Sequence, residues 1–372
     1  MSTLRINIVL FGIGNVGGAL IQQILESQQF FLEKKNVELR FPIITNSSLA
    51  FFEKEGLKNT WEANFAQSAI PFRVEDIIEY ASDQGLENLI AVDVTASPEL
   101  VKSYISLIQN GFHIVSANKI ANTLHHDFYK EIRRNLKKFD KNYLYEANFS
   151  LGLPVINTIR DLHFSGEKIT KIRGVFSNSL SYIFNRFGNE ALPFSNILID
   201  AEKAGHTAAD SREDLNGHDV AEKILILARE IELQVEFSEV KITSLLLSSL
   251  NKTNTKAEYA TQKNVLDAPY KIAKLTQSEN HVLRYIGELD VESKKLEVKL
   301  VSEPINSTIG QLKGTDNVIE IYTKSNGVNP IIIQSSGAKK QMVARTVLND
   351  ILKISDQIQQ SVRSKQKEKI WL

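Results

Sequence analysis

Residues 6–17 have the sequence INIVLFGIGNVG, an apolar run that leads directly into a cluster of glycines. The apolar part predicts a buried strand over 6–11, and the pattern that follows predicts a helix over 16–32. The turn between them has the spacing GxGxxG, formed by Gly12, Gly14 and Gly17. This strand, turn and helix decide the fold, because they start a chain of alternating strands and helices.

A glycine turn of this kind suits a dinucleotide. Its first glycine permits the tight bend, the second lets a pyrophosphate approach the backbone, and the third lets the helix lie close to the strand. The first helical residues, Asn15 and Val16, then offer backbone amides to the phosphates. The alternative is a glycine-rich packing turn that binds nothing.

The alternation continues through the first 150 residues. The later strands are predicted at 37–45, 89–94, 112–116 and 142–145, and the helices at 74–82, 98–109 and 125–137. Repeated strand and helix at this spacing predicts a parallel sheet with right-handed crossovers. The fold class is therefore α/β, with a Rossmann dinucleotide-binding domain over residues 1–150.

The rest of the chain has a different pattern and predicts an α+β domain over residues 151–339. Its strands are predicted at 171–176, 283–289, 296–301, 318–322 and 330–334, and its helices at 196–204 and 216–231. The polar stretch 251–264 lacks a clear period and predicts a loop. Residues 340–372 predict an amphipathic helix, clearest over 340–360, that packs back onto the first domain.

Composition excludes several classes of protein. Lys and Arg total 44, as do Asp and Glu, so the zero net charge argues against a nucleic-acid or membrane-surface binder. With no cysteine among 372 residues, disulfides, thiolate metal sites and cysteine nucleophiles are ruled out. No apolar stretch is long enough to span a membrane, and no signal-peptide cleavage site follows the first apolar run. We expect a cytoplasmic protein.

The end of the second predicted strand bears on the choice of cofactor. An NAD site usually has an acid there for the ribose 2′-hydroxyl. This chain has Asn46 and Ser47, which can bond either a hydroxyl or a phosphate, and no basic residue adjoins them in sequence. NAD and NADP both stay open, with a slight preference for NADP.

Five further stretches carry a family resemblance. They are VDVTAS (92–97), ANK (117–119), GLPVI (152–156), SLSYIF (179–184) and DLNGHDVAEK (214–223). With the glycine turn, they show that the chain resembles homoserine dehydrogenase, especially the dehydrogenase half of bifunctional aspartokinase–homoserine dehydrogenases. The resemblance implies reversible hydride transfer between NAD(P)H and aspartate 4-semialdehyde in amino-acid biosynthesis, for threonine and methionine. It also implies a homodimer formed through the second domain.

The resemblance assigns roles to matching residues. Lys223 would give a proton to the developing alkoxide, and Lys119 would lie close to the nicotinamide and the reacting oxygen. The implied substrate-binding residues are Asp214, Asp219, Ser179, Asn178 and His206. The remaining implied cofactor contacts are Thr95, Ala96, Ser97, Asn118, Lys119 and Gly337. A monovalent-cation site is implied at Glu146, Phe149, Leu151 and Leu153, largely through main-chain carbonyls.

The chemistry of these residues agrees with the implied reaction. Hydride that reaches an aldehyde carbon leaves negative charge on the oxygen, and a nearby ammonium both stabilises that charge and delivers the proton. Asp219 and Lys223 are four residues apart on a predicted helix, so they share a face. The alternative is a surface helix that carries an ion pair and a cap at Asn216.

The sequence departs from the family at the substrate end. The glutamate expected to receive the substrate's α-ammonium is Ala208, and the neighbouring tyrosine is His206. Asp210 could replace the glutamate if the loop reshapes. Asn178 replaces a glycine of the family's substrate strand, and 335–339 read SSGAK where the family has more glycine.

Three hypotheses therefore stand. The protein is a homoserine dehydrogenase with a rearranged ammonium pocket, a dehydrogenase for a related aldehyde or alcohol, or a non-catalytic relative that binds a nucleotide or a partner.

Overall fold

The computed structural model describes residues 3–149, 152–251, 255–337 and 339–370. The chain divides into two compact units. Unit 1 contains residues 1–152 and 339–372, and unit 2 contains residues 153–338. The predicted α/β class, with a Rossmann-type sheet followed by an α+β part, is confirmed.

Unit 1 is built on alternating strands and helices. In chain order they are β1 (Leu4–Phe11), α1 (Asn15–Lys35), β2 (Val37–Thr45), β3 (Leu49–Phe52), α2 (Trp61–Ser68), β4 (Ile70–Pro71), α3 (Val74–Asp83), β5 (Leu89–Asp93), α4 (Pro98–Lys102), α5 (Tyr104–Gln109), β6 (His113–Ser116), α6 (Ile120–Thr123), α7 (His126–Lys138) and β7 (Tyr143–Leu144).

The sheet of unit 1 has the order β4-β3-β2-β1-β5-β6-β7. The five strands from β2 to β7 in this order are parallel, while β3 and β4 add an antiparallel edge. Every residue of β5 is buried, as expected for a central strand with both faces covered.

Unit 2 mixes helices with a largely antiparallel sheet. Its elements are α8 (Val155–Phe164), β8 (Ile169–Val175), α9 (Asn178–Asn189), α10 (Phe194–Lys203), α11 (Arg212–Leu215), α12 (His218–Glu230), β9 (Lys241–Ile242), α13 (Ser248–Asn251), α14 (Lys256–Gln262), α15 (Asp267–Thr276), β10 (His281–Asp290), β11 (Lys295–Pro304), β12 (Asn317–Thr323) and β13 (Ile331–Ser335). The sheet order is β13-β12-β8-β10-β11-β9, with only the β9–β11 pair parallel.

The last helix, α16 (Lys340–Ile370), returns to unit 1. It packs along α1, where Gln23 donates a hydrogen bond to the carbonyl of Gln341 and Lys35 pairs with Asp356 at 2.8 Å. Among the described residues, no helix is long and apolar enough to cross a membrane.

Three predicted elements were wrong in detail. The loop predicted at 251–264 contains helix α14, because Thr255 caps a helical turn that its polar sequence disguises. The helix predicted at 98–109 is two helices that meet at Ser103. The helix predicted at 216–231 begins at His218, since Gly217 has a left-handed backbone, with φ of 81°.

Candidate functional site

The parallel register brings four strand ends into line in unit 1. Phe11 pairs with Thr45 on one side and with Asp93 on the other, and Asp93 pairs with Ser116. The residues that follow these positions therefore meet at the carboxyl edge of the sheet, where open α/β sheets bind their ligands. Most of the predicted cofactor residues follow these four strand ends.

The glycine turn is forced by sterics. Gly12 has φ of 99°, and its amide donates to the carbonyl of Thr45 at 2.9 Å. A Cβ on Gly17 would lie 1.9 Å from the carbonyl oxygen of Gly12, so no larger residue fits there without moving the turn. Gly14 has open space on the corresponding side, with no atom within 4 Å.

The N-terminus of α1 is open to a ligand. No side chain caps this helix, and no acidic residue lies in its first turn. Gly14 and Asn15 are exposed, Val16 is half-buried, and Gly17 is buried. Helix N-terminal amides without such partners favour a phosphate. A dinucleotide pyrophosphate therefore fits this turn.

Beside the turn lies a cavity of about 700 Å³. The predicted cofactor residues on its wall are Gly12, Asn46, Ser47, Thr95, Ala96 and Ser97. Gly14, Asn15, Val16, Gly17, Asn118 and Lys119 do not line it, although all belong to unit 1. The cavity therefore brings together six of the predicted cofactor residues.

Asn46 is oriented by its own turn. Its side-chain oxygen accepts hydrogen bonds from the amides of Ser48 and Leu49, at 2.9 and 2.7 Å. The side-chain oxygen of Asn46 is thereby engaged, and its amino group is the part that can donate to a ligand. A donor at this position suits a hydroxyl or phosphate oxygen.

Arg73 is a cavity residue that the sequence reasoning missed. It lies 26 positions after Ser47, at the start of α3, and it lines the same cavity as Asn46 and Ser47. Its side chain is 76% exposed and pairs with Asp76 at 3.2 Å. A basic residue that is distant from Asn46 in sequence therefore lines the same cavity. Two acids, Glu75 and Glu99, line the same cavity.

Asp93 is a second residue that the sequence reasoning missed, and it contacts predicted cofactor residues without lining the cavity. It is 1% exposed and accepts hydrogen bonds from the Thr95 amide, the Asn118 side chain and the Tyr104 hydroxyl. Burial raises the pKa of Asp93. Its position at the end of a buried strand, just before Thr95, was the available signal.

The side chain of Asn118 forms hydrogen bonds within unit 1. Its amino group donates to Asp93 and to the carbonyl of Ser97, and its oxygen accepts from the amide of Ile120. Lys119 is half-buried and begins α6. The two connections after β5 and β6 are thus tied together.

The predicted cation loop is described only in part. Glu146 and Phe149 lie in a buried turn, where the Glu146 amide donates to Asp350 of α16 at 3.0 Å. Leu153 is half-buried and starts unit 2, while Leu151 lies outside the described residues. Over the described ranges, no group of three or more His, Asp or Glu side chains could hold a metal.

The predicted proton donor of unit 2 is buried. Lys223 on α12 is 7% exposed, and its ammonium donates to Asp219 at 2.8 Å and to the carbonyl of Phe176 at 2.7 Å. The Asp219 side chain, one helical turn earlier, is 41% exposed. Asp219 and Lys223 therefore form one unit, as the i,i+4 spacing predicts.

Two glycines make room for the ring of Phe176, the residue whose carbonyl Lys223 contacts. Gly174 of β8 and Gly287 of β10 are register partners, and a Cβ on either would lie 2.7 Å from the Phe176 ring. The ring packs over this pair of glycines and fixes the backbone at Phe176. Lys223 is then held in one position by main chain on one side and by a carboxylate on the other.

Asp214, Ser179 and Ala208 form a second cluster. The Asp214 carboxylate accepts a hydrogen bond from the Ala208 amide at 2.8 Å and one from the Ser179 hydroxyl. Burial raises the pKa of Asp214, with a contribution from the negative charge of Asp219, while the Ser179 and Ala208 hydrogen bonds oppose the rise. The two predicted carboxylates are thus close enough to repel each other.

The divergent loop, residues 205–211, holds its polar side chains by local contacts. His206 stacks on the ring of Tyr182, with 4.0 Å between ring centroids. Asp210 is bound by Arg212, whose Nε lies 3.0 Å from both carboxylate oxygens. Asp210 is therefore committed to a cation of this chain, and the idea that it replaces the missing glutamate at Ala208 loses its support.

Asn178 lies in a different element from the one predicted. It is the first residue of α9, not part of a strand, and its side-chain oxygen accepts a hydrogen bond from Asn317. Gly337 has φ of 83° in the connection after β13, and a Cβ there would lie 2.6 Å from the Thr315 hydroxyl. Contacts within unit 2 hold both residues in place.

Family models match both parts of the chain. The homoserine dehydrogenase NAD-binding domain matches residues 12–146, and the homoserine dehydrogenase model matches residues 154–352. Together they account for most of the chain.

Curated relatives share the same description. The homoserine dehydrogenase of Saccharomyces cerevisiae is 31% identical over 369 residues, which cover 96% of this chain and 100% of the yeast protein. The chloroplastic bifunctional aspartokinase/homoserine dehydrogenase 1 of Zea mays is 34% identical over 95% of this chain and 38% of its own length. The chain thus spans about two fifths of the length of such bifunctional relatives.

Solved structures show the same fold. A Candida auris protein of unknown function superposes with a TM-score of 0.86 at 28% identity, covering 95% of this chain and 98% of that one. A hyperthermophilic archaeal homoserine dehydrogenase in complex with NADPH gives a TM-score of 0.72 at 20% identity, with 95% and 98% coverage.

Proposed function

The chain belongs to the homoserine dehydrogenase family, and we propose that it catalyses reversible, NAD(P)-dependent hydride transfer between L-homoserine and L-aspartate 4-semialdehyde. In this proposal unit 1 holds the cofactor, and unit 2 holds the substrate. The observation that carries it is the buried Lys223 ammonium, held by Asp219 and the Phe176 carbonyl.

The contribution of Lys223 follows from charge. When the aldehyde is reduced, negative charge develops on its oxygen, and a fixed ammonium stabilises that charge without having to reorganise. Lys223 also supplies the proton that completes the alcohol, and in the oxidation it takes that proton back. Asp219 orients the ammonium through a hydrogen bond of 2.8 Å. Lys119 is the second cationic residue that we assign to the reaction.

The residues of unit 1 suit a nicotinamide dinucleotide, which supplies or accepts the hydride when bound. The uncapped start of α1 would hold the pyrophosphate, and the space beside Gly14 would let it approach. Thr95, Ala96 and Ser97 line the neighbouring cavity. Asp93 positions the loop that carries them.

The substrate's α-ammonium needs a carboxylate in unit 2. Ala208 supplies none, and Asp210 is bound by Arg212. We assign this role chiefly to Asp214, with Asp219 beside it, because Asp219 is also paired with Lys223. A bound cation would relieve the repulsion between the two carboxylates. Ser179, Asn178 and His206 complete the proposed pocket, and Gly337 is the proposed nicotinamide contact of unit 2.

The same loop favours a second candidate function. Without a glutamate at 208, an aldehyde or alcohol that lacks the α-amine would lose less binding energy here than in a pocket that keeps that glutamate. A dehydrogenase for such a related substrate is therefore the alternative. A non-catalytic relative is the third hypothesis, and the buried Lys223 pair argues against it.

An activity panel separates the three hypotheses. The full chain is assayed with NAD and with NADP, using L-homoserine and 4-hydroxybutyrate, which lacks the amine. Turnover of L-homoserine is expected. Turnover of 4-hydroxybutyrate alone would replace the first hypothesis by the second. No turnover of either alcohol, with NADPH still bound, would favour the non-catalytic relative.

We propose a preference for NADP over NAD. The support is a cavity wall that brings the Asn46 amino group, Ser47 and the Arg73 guanidinium together, three groups that donate to phosphate oxygens. Glu75 on the same wall would instead suit a ribose hydroxyl. Dissociation constants for NADPH and NADH, measured by fluorescence titration, decide between the two cofactors.

We propose a homodimer formed through the sheet of unit 2. The packing of Phe176 and Val220 against Gly287 puts the helices on one face, so the neighbouring Arg173 and Glu288 point to the other. That second face is apolar in part, because Ile332 of β13 is 47% exposed. In light scattering, Ile332→Glu should weaken the dimer. Ile272→Glu, an exposed apolar site on α15, is the control.

A monovalent cation at the 146–153 loop is also part of the proposal. Its support is the buried turn Glu146–Phe149, which gathers main-chain carbonyls in a short segment. Carbonyl oxygens suit a hard cation such as sodium. Exchange of sodium chloride for tetramethylammonium chloride at constant ionic strength should lower activity, and unchanged activity would remove the cation from the proposal.

A further inference from the structure

A second cavity of about 500 Å³ lies at the opposite end of the parallel sheet of unit 1. It is lined by the first half of β1, by the turn 84–88 before β5, and by residues 359–363 of α16. None of these residues lines the cavity beside the glycine turn. It is therefore separate from the proposed cofactor site.

The floor of this cavity holds a polar atom without a partner. Asn7 is 3% exposed, and its amino group donates to the carbonyl of Glu87 at 2.7 Å. Its side-chain oxygen is buried and accepts no hydrogen bond from the described residues. A buried acceptor of this kind favours a ligand with an N–H donor, because burial removes the acceptor from bulk water.

The mouth of the cavity is positively charged. Lys54 and Arg363 are exposed on its wall, and neither forms a hydrogen bond or ion pair within the part of the chain that the structure describes. Arg40 also lines the cavity, but it is bound by Glu38 at 2.9 Å and Glu55 at 3.1 Å. The basic residues left for a ligand are therefore Lys54 and Arg363.

The acidic residues of the wall do not cancel this charge. Glu55 is committed to Arg40, and Glu87 is the other lining acid. Arg5, a fourth lining base, is paired with Glu38 at 3.2 Å. The unpaired charges are thus two basic groups against one acid, which favours an anion.

The wall formed by α16 is fixed in place. Lys35, at the end of α1, pairs with Asp356, and Gln359 donates a hydrogen bond to the carbonyl of Lys35 at 3.1 Å. These contacts hold the helical turn that carries Arg363. A cavity with a fixed wall can bind without first ordering the chain.

We propose that this cavity, between Asn7 at its floor and Lys54 and Arg363 at its mouth, binds a small organic anion that carries an N–H donor. The donor end contacts the Asn7 oxygen, and the anionic end contacts the two basic residues. Amino acids and nucleoside monophosphates share this chemistry. The site is additional to the dehydrogenase reaction and does not depend on it.

The test is calorimetric titration of the full chain with its cofactor site saturated by NADPH. The probes are L-glutamate and 5′-AMP, each paired with an analogue that lacks the N–H donor, glutarate and ribose 5-phosphate. We expect one of the two probes to bind with a dissociation constant below about 1 mM. Its paired analogue should bind about tenfold more weakly. The responding probe identifies the source of the ligand.

Matched variants locate the binding. The double variant Lys54→Met/Arg363→Met should weaken binding of the probe about tenfold, whereas Lys130→Met on α7 should leave it unchanged. Because both mouth residues are exposed, these variants are expected to fold. Hydrogen exchange in residues 84–89 should slow when the probe binds.

Three results would overturn the proposal. These are no binding of either probe below about 1 mM, equal binding of a probe and its donor-free analogue, or undiminished binding in the mouth double variant. Asn7→Leu gives an independent check, since it removes the acceptor while the mouth stays intact. Retained affinity in a folded Asn7→Leu protein would equally contradict the assigned floor.

Discussion

The glycine turn of unit 1 and the loop 205–211 of unit 2 are fixed by different forces. In the turn, backbone atoms leave no space, since a Cβ on Gly17 would lie 1.9 Å from the Gly12 oxygen. In the loop, side chains hold one another, through the His206–Tyr182 stack and the Asp210–Arg212 pair. No residue larger than glycine fits at position 17 without moving the turn, whereas the loop can change residues and keep its path.

This difference separates the two halves of the proposed function. A turn fixed by the backbone keeps its shape, because a side chain at position 17 would displace it. A loop fixed by side chains can lose a glutamate at 208 without losing its fold. The cofactor half is therefore determined by geometry, and substrate choice depends on side-chain chemistry that the fold does not constrain.

The largest expected effect is at Lys223. Lys223→Ala should lower kcat by about 10²- to 10⁴-fold, the range for loss of a positioned proton donor. NADPH affinity should change little, because Lys223 is not among the proposed cofactor contacts. The control is Lys203→Ala, which removes an exposed lysine of the same unit. Unchanged kcat in Lys223→Ala would refute the assigned proton donor.

Gly17→Ala tests the steric side of the comparison. The added methyl must displace the Gly12 carbonyl, so we expect a loss of about 1–3 kcal/mol in unfolding free energy, together with weak NADPH binding. Gly18→Ala is the matched control, since its Cβ would meet only the Ile13 oxygen at 3.9 Å. Thermal melts and cofactor titrations measure both. Equal behaviour of the two variants would show that the turn is not fixed by the backbone.

Ala208→Glu tests the chemical side. If the loop follows the family path, the new carboxylate should pair with the substrate ammonium and lower KM for L-homoserine about tenfold. Ala209→Glu places the same charge on the next, exposed residue and should have little effect. An unchanged KM in Ala208→Glu would mean that the loop no longer faces the ammonium.

Arg73→Ser tests the proposed preference for NADPH in the cofactor half. Removal of the guanidinium should reduce the preference for NADPH over NADH about tenfold, and serine is a favourable N-cap residue for the start of α3. Arg134→Ser on α7 is the control. A constant ratio of the two dissociation constants would exclude Arg73 from phosphate binding.

Ser179→Ala should give the smallest effect, a shift in pH dependence. The Ser179 hydrogen bond lowers the pKa of Asp214, so its removal should raise that pKa further above the ordinary value. Because the ionised Asp214 attracts the ammonium, kcat/KM should fall at a higher pH than in the parent as the solution is acidified. Ser165→Ala should leave the profile in place. If the fall of kcat/KM at low pH occurred at the same pH as in the parent, Asp214 would have no part in substrate binding.

Several missed features share one cause. Arg73 reaches the Asn46 cavity from a segment 27 residues later, and Asp93 joins the loops after two different strands. Spacing along the chain cannot reveal contacts that depend on strand order and register.

Local sequence determined the glycine turn, the alternation of strands and helices, and the pairing of Asp219 with Lys223. Each of these depends on neighbours within a few residues, because backbone sterics and helical periodicity act over that distance. Tertiary structure alone decided that the Phe176 carbonyl accepts a hydrogen bond from Lys223, and that the Phe176 ring packs on Gly174 and Gly287. It also decided that Asn7 lies buried at the floor of a second cavity, since burial depends on elements far apart in the chain.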